Sequence, residues 1–148
     1  MGLFNSFNIS ASALTAQRLR MDVISQNIAN VNTTRTEDGT PYRRKTVVFQ
    51  EKEMNIPFSQ YLSEESRSRF LKGGGVRVTQ ITEDPTPFKE VYDPSHPDAD
   101  ENGIVRMPNI EIVTEMVNMI SATRAYEANI TALNASKSMA AKALEIGR

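Results

Sequence analysis

The sequence contains no cysteine, which excludes disulfides and thiolate chemistry. Its one histidine, His96, sits between prolines in a polar stretch, Pro94-Ser95-His96-Pro97. Any Ser-His-Asp triad must use that residue, and nothing near it resembles a nucleophile elbow. No stretch is long and apolar enough to span a bilayer. No Lys or Arg precedes Arg18, and no apolar run follows it, so a cleavable secretory signal is not expected. If the protein leaves the cytoplasm, it must use a route without such a signal. Charge of one sign is also lacking: the net charge is −1, which implies no global attraction to nucleic acid or to a membrane surface. Residues 1–50 carry six Lys/Arg against three Asp/Glu, and the remainder carries eleven against fifteen. Arg43, Arg44 and Lys45 form a cluster too small for the footprint that phosphate contacts need. It reads as a solvated or partner-facing strand edge.

Proline and glycine are both missing from Asn109 to Glu145, and this absence points to what is there. The segment is one helical pattern. Positions 112, 116, 119, 123, 126, 130, 133, 137, 140 and 144 step by four and three, and read Ile, Met, Met, Thr, Tyr, Ile, Leu, Lys, Ala, Leu. Apolar residues dominate this series, as in a coiled-coil seam. A second seam lies near the N-terminus: Phe7, Ser10, Leu14, Gln17, Met21, Ile24, Ile28 and Val31. Asn5 or Ser6 is the expected N-cap of that helix, and the amide-rich tail Asn27 to Thr34 its end. Ser25, Gln26, Asn27 and Asn30 give it a polar face, available to hydrogen-bond neighbouring chains or to stay solvated. With only Arg18 and Arg20, partly offset by Asp22, the helix suits protein packing better than a membrane surface. Asn109 is the expected N-cap of the C-terminal helix, and Gly147 its stop.

Between the seams, residues 36–107 are few enough to be only marginally stable on their own core. Asp38-Gly39-Thr40-Pro41 marks a turn. Strands are expected at 42–50, 76–80 and 88–92, with a short helix around Ser59–Ser66, a flexible turn at Gly73–Gly75 and a polar loop at 93–103. The expected fold is therefore mainly α with a small β-rich insert. Residues 1–35 and 108–148 supply long helices packed as a coiled-coil inner domain, and 36–107 a middle domain of short strands and loops.

The chemical motifs are weak. Asp98-Ala99-Asp100-Glu101-Asn102-Gly103 matches the first half of a calcium loop, but the bidentate acid would fall on Asn109 and no helix precedes the loop. The glycines after Lys72 are followed by Val76-Arg77 rather than the Lys-Ser/Thr of a phosphate loop. Glu64-Glu65 and Glu51/Glu53 lack an apolar pocket to separate their pKa values. No catalytic, metal or cofactor site is expected.

A resemblance adds to this reading. The run Ser12-Ala13-Leu14-Thr15-Ala16-Gln17-Arg18-Leu19-Arg20-Met21-Asp22-Val23-Ile24-Ser25-Gln26-Asn27-Ile28-Ala29-Asn30-Val31-Asn32-Thr33 resembles the N-terminal signature of bacterial flagellar rod and hook axial proteins. Met116 to Ile120 and Arg124 to Asn129 are similar to their C-terminal signature. The short length, with Pro41 to Phe49 and His96 to Gly103, resembles the proximal-rod members of the flagellar basal-body rod protein family. The resemblance implies a structural subunit of the hollow, torque-transmitting rod that crosses the periplasm. Such subunits are exported unfolded through the flagellar type III apparatus, and their terminal helices line the export channel. The implied partners are other rod proteins, copies of the chain itself, inner-membrane ring and rod-adaptor proteins, and the export apparatus; nucleic acid and direct membrane insertion are not implied. Residues expected at subunit interfaces are Phe7, Leu14, Gln17, Met21, Ile24, Asn27, Ile28 and Val31, with Ile112, Met116, Met119, Tyr126, Ile130, Leu133 and Leu144. A reading from another class is a small coiled-coil export chaperone or adaptor that stays in the cytoplasm. Fractionation with purified basal bodies separates the two.

Overall fold

The computed structural model describes residues 3–52 and 74–146. Helix α1 covers Leu3–Ala29, strands β1 to β4 cover Lys45–Glu51, Val76–Glu83, Lys89–Tyr92 and Ile104–Met107, and helix α2 covers Ile112–Ile146. Two long terminal helices thus flank a small set of short antiparallel strands, as the sequence pattern predicts. β1 pairs with β2 and β3 with β4, each as a two-stranded sheet. The helix expected around Ser59–Ser66, Gly73 of the glycine turn and the stop at Gly147 lie outside the described residues.

α1 begins at Leu3, ahead of the cap expected at Asn5 or Ser6, and its good helix formers cluster between Ala11 and Met21. It ends where the amides begin to bond their own backbone. Asn30 Nδ2 donates to the Gln26 carbonyl at 2.9 Å, and Thr33 Oγ1 donates to Asn30 Oδ1 at 3.1 Å. At the start of α2, the Asn109 cap expected from sequence is not the one used. The Glu115 N–H bonds the Glu111 carbonyl at 3.0 Å, so Glu111 occupies the capping position. Its carboxylate also accepts the Thr114 hydroxyl at 2.9 Å, and a negative charge at this end favours the helix dipole. Asn109 is engaged elsewhere.

Strand β4 was not expected from the pattern, which left 104–107 between a polar loop and a helix. It pairs antiparallel with β3 in the register Lys89↔Met107, Glu90↔Arg106, Val91↔Val105, Tyr92↔Ile104. Val105 is fully buried, and opposite charges at Glu90 and Arg106 face across the pair. Gly103 permits this hairpin. Its φ is +72°, and a Cβ there would press on the Tyr92 ring and on Pro94.

The chain divides into two compact units, each fed by both helices. One comprises Met1–Arg18, Phe49–Thr79 and Arg124–Arg148. In it Ala16 is buried, and Ser12 ties the entry of β2 to α1. The Ser12 hydroxyl donates to the Ile9 carbonyl at 2.7 Å and accepts the Val76 N–H at 3.1 Å. The other unit comprises Leu19–Val48 and Gln80–Thr123. Its core is Val23, Ile24, Val105, Pro108 and Ala122, together with two buried polar residues, Asn27 and Glu115. Here the helices run antiparallel: Met21 Sδ lies 3.6 Å from Thr123 Oγ1, and Asn27 meets Glu115.

Candidate functional site

The surface of α2 separates two faces. The face covered by the rest of the chain follows positions 115, 119, 122, 126, 129, 133, 136 and 140, again stepping by four and three. It reads Glu, Met, Ala, Tyr, Asn, Leu, Ser, Ala, and is less apolar than the series read from sequence. The two series share Met119, Tyr126, Leu133 and Ala140, and differ by one residue elsewhere. The apolar residues left over point outward. Ile112, Val113, Met116, Val117 and Ile120 are 46%, 67%, 55%, 61% and 53% exposed, and they form one continuous i, i+3, i+4 stripe. Further along, Ile130, Met139 and Leu144 are also exposed.

On α1 the exposed positions are polar or small: Asn8, Ala11, Thr15, Arg18, Asp22, Ser25, Gln26 and Ala29. Ile24 and Asn27 are buried, and Phe7, Leu14, Gln17, Met21, Ile28 and Val31 are half-buried. Gln17 Oε1 is shut from solvent with no hydrogen-bond donor beside it.

Asn27 is the entry to a buried polar node. Its Nδ2 donates to the Lys45 carbonyl at 2.8 Å and to Glu115 Oε2 at 2.9 Å. Its Oδ1 accepts the Lys45 N–H at 2.9 Å and the Tyr42 hydroxyl at 3.3 Å. The amide therefore bonds both backbone groups of Lys45, as a neighbouring strand residue would, and its hydrogen-bonding capacity is filled within its own chain. Glu115 Oε1 in turn accepts Arg44 Nε at 3.0 Å, Arg44 Nη2 at 2.8 Å and Asn118 Nδ2 at 3.3 Å. Arg44 Nη1 reaches Asp84 Oδ2 at 3.2 Å. Asn109 closes the ring: its Oδ1 accepts the Arg44 N–H at 2.9 Å, and its Nδ2 donates to Thr86 Oγ1 at 2.7 Å.

The electrostatics follow from these partners. Burial pulls the Arg44 guanidinium down, but the hydrogen bonds and charges of Glu115 and then Asp84 outweigh it, so its proton is held more tightly than usual. Asp84 is held below the ordinary carboxylate range, first by the Thr86 N–H and hydroxyl and then by Arg44. Burial, then the charges of Glu83 and Glu115, raise the Tyr42 hydroxyl and keep it a donor.

The basic cluster expected as a solvated or partner-facing edge is instead engaged inside the chain. Arg43 lies 4.4 Å from the Phe88 ring centroid and donates to the Asp84 carbonyl at 3.2 Å, and the Lys45 ammonium sits 5.5 Å from the Tyr42 ring centroid. Glu115, Asp84 and Asn109 were missed as participants. The available signal was Glu115 itself, a lone acid set in the apolar run Ile112 to Ile120.

Elsewhere, the loop that matches half of a calcium motif is tied down by its own chain. Asp98 accepts the Thr34 hydroxyl at 2.7 Å, and His96 Nδ1 accepts the Asp98 N–H at 3.1 Å. Among the described residues, no three His, Asp or Glu side chains gather to hold a metal ion. A cavity of about 350 Å³ beside this loop is lined by Arg35, Arg106, Asp98 and Asp100 around Phe88 and Pro97. Among the described residues, no helix is long and apolar enough to cross a membrane.

Comparison with known proteins places this architecture. Residues 7–35 match the family model for flagella basal body rod protein, and residues 101–146 match that for the flagellar basal body rod FlgEFG protein C-terminal region. These segments contain most of α1 and all of α2. The flagellar basal-body rod protein FlgC of Bacillus subtilis is 51% identical, over the whole of both chains. That of Borreliella burgdorferi is 51% identical over 99% of this chain and 98% of its own. That of Salmonella typhimurium is 44% identical, again over the whole of both. The chain belongs to the FlgC family of flagellar basal-body rod proteins. As a FlgC-family chain it is a structural subunit of the flagellar basal-body rod and assembles with other rod components.

Proposed function

We propose that this FlgC-family subunit packs helically, through its terminal helices, into a hollow shaft that transmits torque, and that the exposed apolar stripe of α2 is where a neighbouring rod subunit docks. One observation carries the reading. The most apolar face of the longest helix is turned away from the chain's own core, although a soluble monomer gains by covering such a stripe. Ile112 and Met116, expected at an interface from sequence, lie on that stripe, and Ile130 and Leu144 continue the exposed apolar positions along the helix. Met119, Tyr126 and Leu133 lie on the covered face, and with Phe7, Leu14, Gln17, Met21, Ile28 and Val31 they are half-buried and present an edge to a neighbour. Ile24 and Asn27 act from inside the subunit.

The neighbours are copies of this chain and other rod proteins, with inner-membrane ring and rod-adaptor proteins at the base of the shaft. The subunit works in the periplasm, reaches it unfolded through the flagellar type III apparatus, and catalyses nothing. The absence of cysteine makes the test clean. A benzophenone probe on Val117→Cys should cross-link to another rod subunit in purified basal bodies. The same probe on Thr15→Cys, on the polar face of α1, serves as the comparison. Absence of any rod-protein adduct at Val117 would remove the stripe from the interface.

A further inference from the structure

We propose that Asn27 and Glu115 are positioning residues for assembly: with Arg44 and Asp84 they lock the rotation of α2 about its axis, and so fix the direction in which the docking stripe points. The inference rests on the rod reading above. Glu115 and Asn27 are each 1% exposed, and between them they join α1, the start of β1 and α2. Arg44 extends the joint to the end of β2 through Asp84.

Stability alone does not account for such a group. Desolvating a carboxylate and a guanidinium is costly, and well-packed apolar side chains of similar volume generally serve at least as well. Directional hydrogen bonds supply what an apolar contact lacks, a single permitted geometry. The covered face of α2 shares Met119, Tyr126, Leu133 and Ala140 with its more apolar seam and differs by one residue at the positions between, which is about 50° of helix rotation. On hydrophobicity alone, α2 would gain by turning its apolar stripe inward. Glu115 opposes that turn, because such a rotation would swing its carboxylate away from Asn27 Nδ2 and from both Arg44 nitrogens. The node therefore keeps the stripe Ile112–Ile120 facing outward, against the helix's own apolar preference.

The test replaces the node without weakening the fold. The double variant Arg44→Met, Glu115→Leu, which leaves Asn27 on both backbone groups of Lys45, should melt near or above the wild-type temperature. Its rod yield in purified basal bodies should nevertheless fall at least tenfold, or its rods lose regular symmetry. A merely structural node predicts normal rods once stability is retained, and that result overturns the proposal. Should the double variant fail to fold, Glu115→Gln decides, because it keeps the shape and an acceptor for Asn27 and removes the charge. Its rods are expected to form with swimming in viscous medium reduced several-fold; unchanged viscous swimming counts against the node. Absence of the wild-type chain from basal bodies would defeat the rod reading itself, and this inference with it.

Discussion

Glu115 Oε1 accepts two hydrogen bonds from the Arg44 guanidinium, 3.0 Å from Nε and 2.8 Å from Nη2, across 71 positions of sequence. The Glu115 side chain is 1% exposed and that of Arg44 24%, so the pair sits mostly away from water.

Breaking this pair from one side should be costly. Glu115→Ala leaves a guanidinium with Asp84 alone and strands the Asn27 amide donor. The expected loss is about 3 kcal/mol, the low end of the range for breaking a buried pair, because Arg44 keeps Asp84 and some access to water. Glu115→Gln keeps an acceptor for Asn27 and should cost about 1–3 kcal/mol. Chemical denaturation of the soluble chain reads both. Equal, small losses would mean that the node is well solvated.

Asp84 makes the node sensitive to acid. Its carboxyl is held below the ordinary range by Thr86 and then by Arg44, so the folded state binds a proton less readily than the unfolded one. A depressed pKa contributes stability that is full above the unfolded value, about 3.9, and lost as pH falls through the folded one. Asp84→Asn should therefore melt below wild type by a constant margin from pH 7 to about 4.5, and the gap should close at lower pH. A gap that widens in acid would reverse the sign and reject the assignment.

Gly75 and Ser12 form the tie in the other unit. Gly75 has φ +100°, and a Cβ on it would overlap the Ser12 hydroxyl. Gly75→Ala should destabilise by about 1–3 kcal/mol, from backbone strain and the clash together. Adding Ser12→Ala relieves the clash but not the strain, so the double variant should recover part of the loss. Thermal melts of the two variants give the answer; complete recovery would assign the whole effect to the hydroxyl.

The legible part of this fold was what periodicity and turn chemistry encode. Among the described residues, both helices and three of the four strands followed from it, and the family followed from Ser12 to Thr33 and Met116 to Asn129. What stayed hidden was set by tertiary partners. Asn109 looks like a helix cap, but it serves Arg44 and Thr86, because the chain brings those backbone and side-chain groups to it. The rotation of α2 was hidden for a deeper reason. Counting apolar residues selects the series containing Met116 and Ile130, while the chain's own packing selects the series containing Glu115 and Ala122. A buried acid accepting four hydrogen bonds overrides the apolar count, and its donors come from residues 27, 44 and 118. Asn118 lies one helical turn away, but no local window contains residues 27 and 44.

The same offset yields the sharpest prediction for assembly. The seam pattern treats Ile24 and Met116 as equivalents, but Ile24 is 5% exposed and Met116 is 55%. Ile24→Asp would place an unpaired charge inside the subunit, where desolvation costs several kcal/mol. Its expected consequence is an unstable chain and low steady-state levels, with rod loss following from that. Met116→Glu and Val117→Glu put their charges in water as long as the chain is alone. Their stability should stay within about 0.5 kcal/mol of wild type, as for ordinary surface changes. Rods should still be lost, because docking a neighbour on the stripe would then desolvate the carboxylate. Melting curves of the soluble chains and counts of rods in basal-body preparations separate the two classes. Normal swimming by a Val117→Glu strain would show that this face meets only water in the assembled rod.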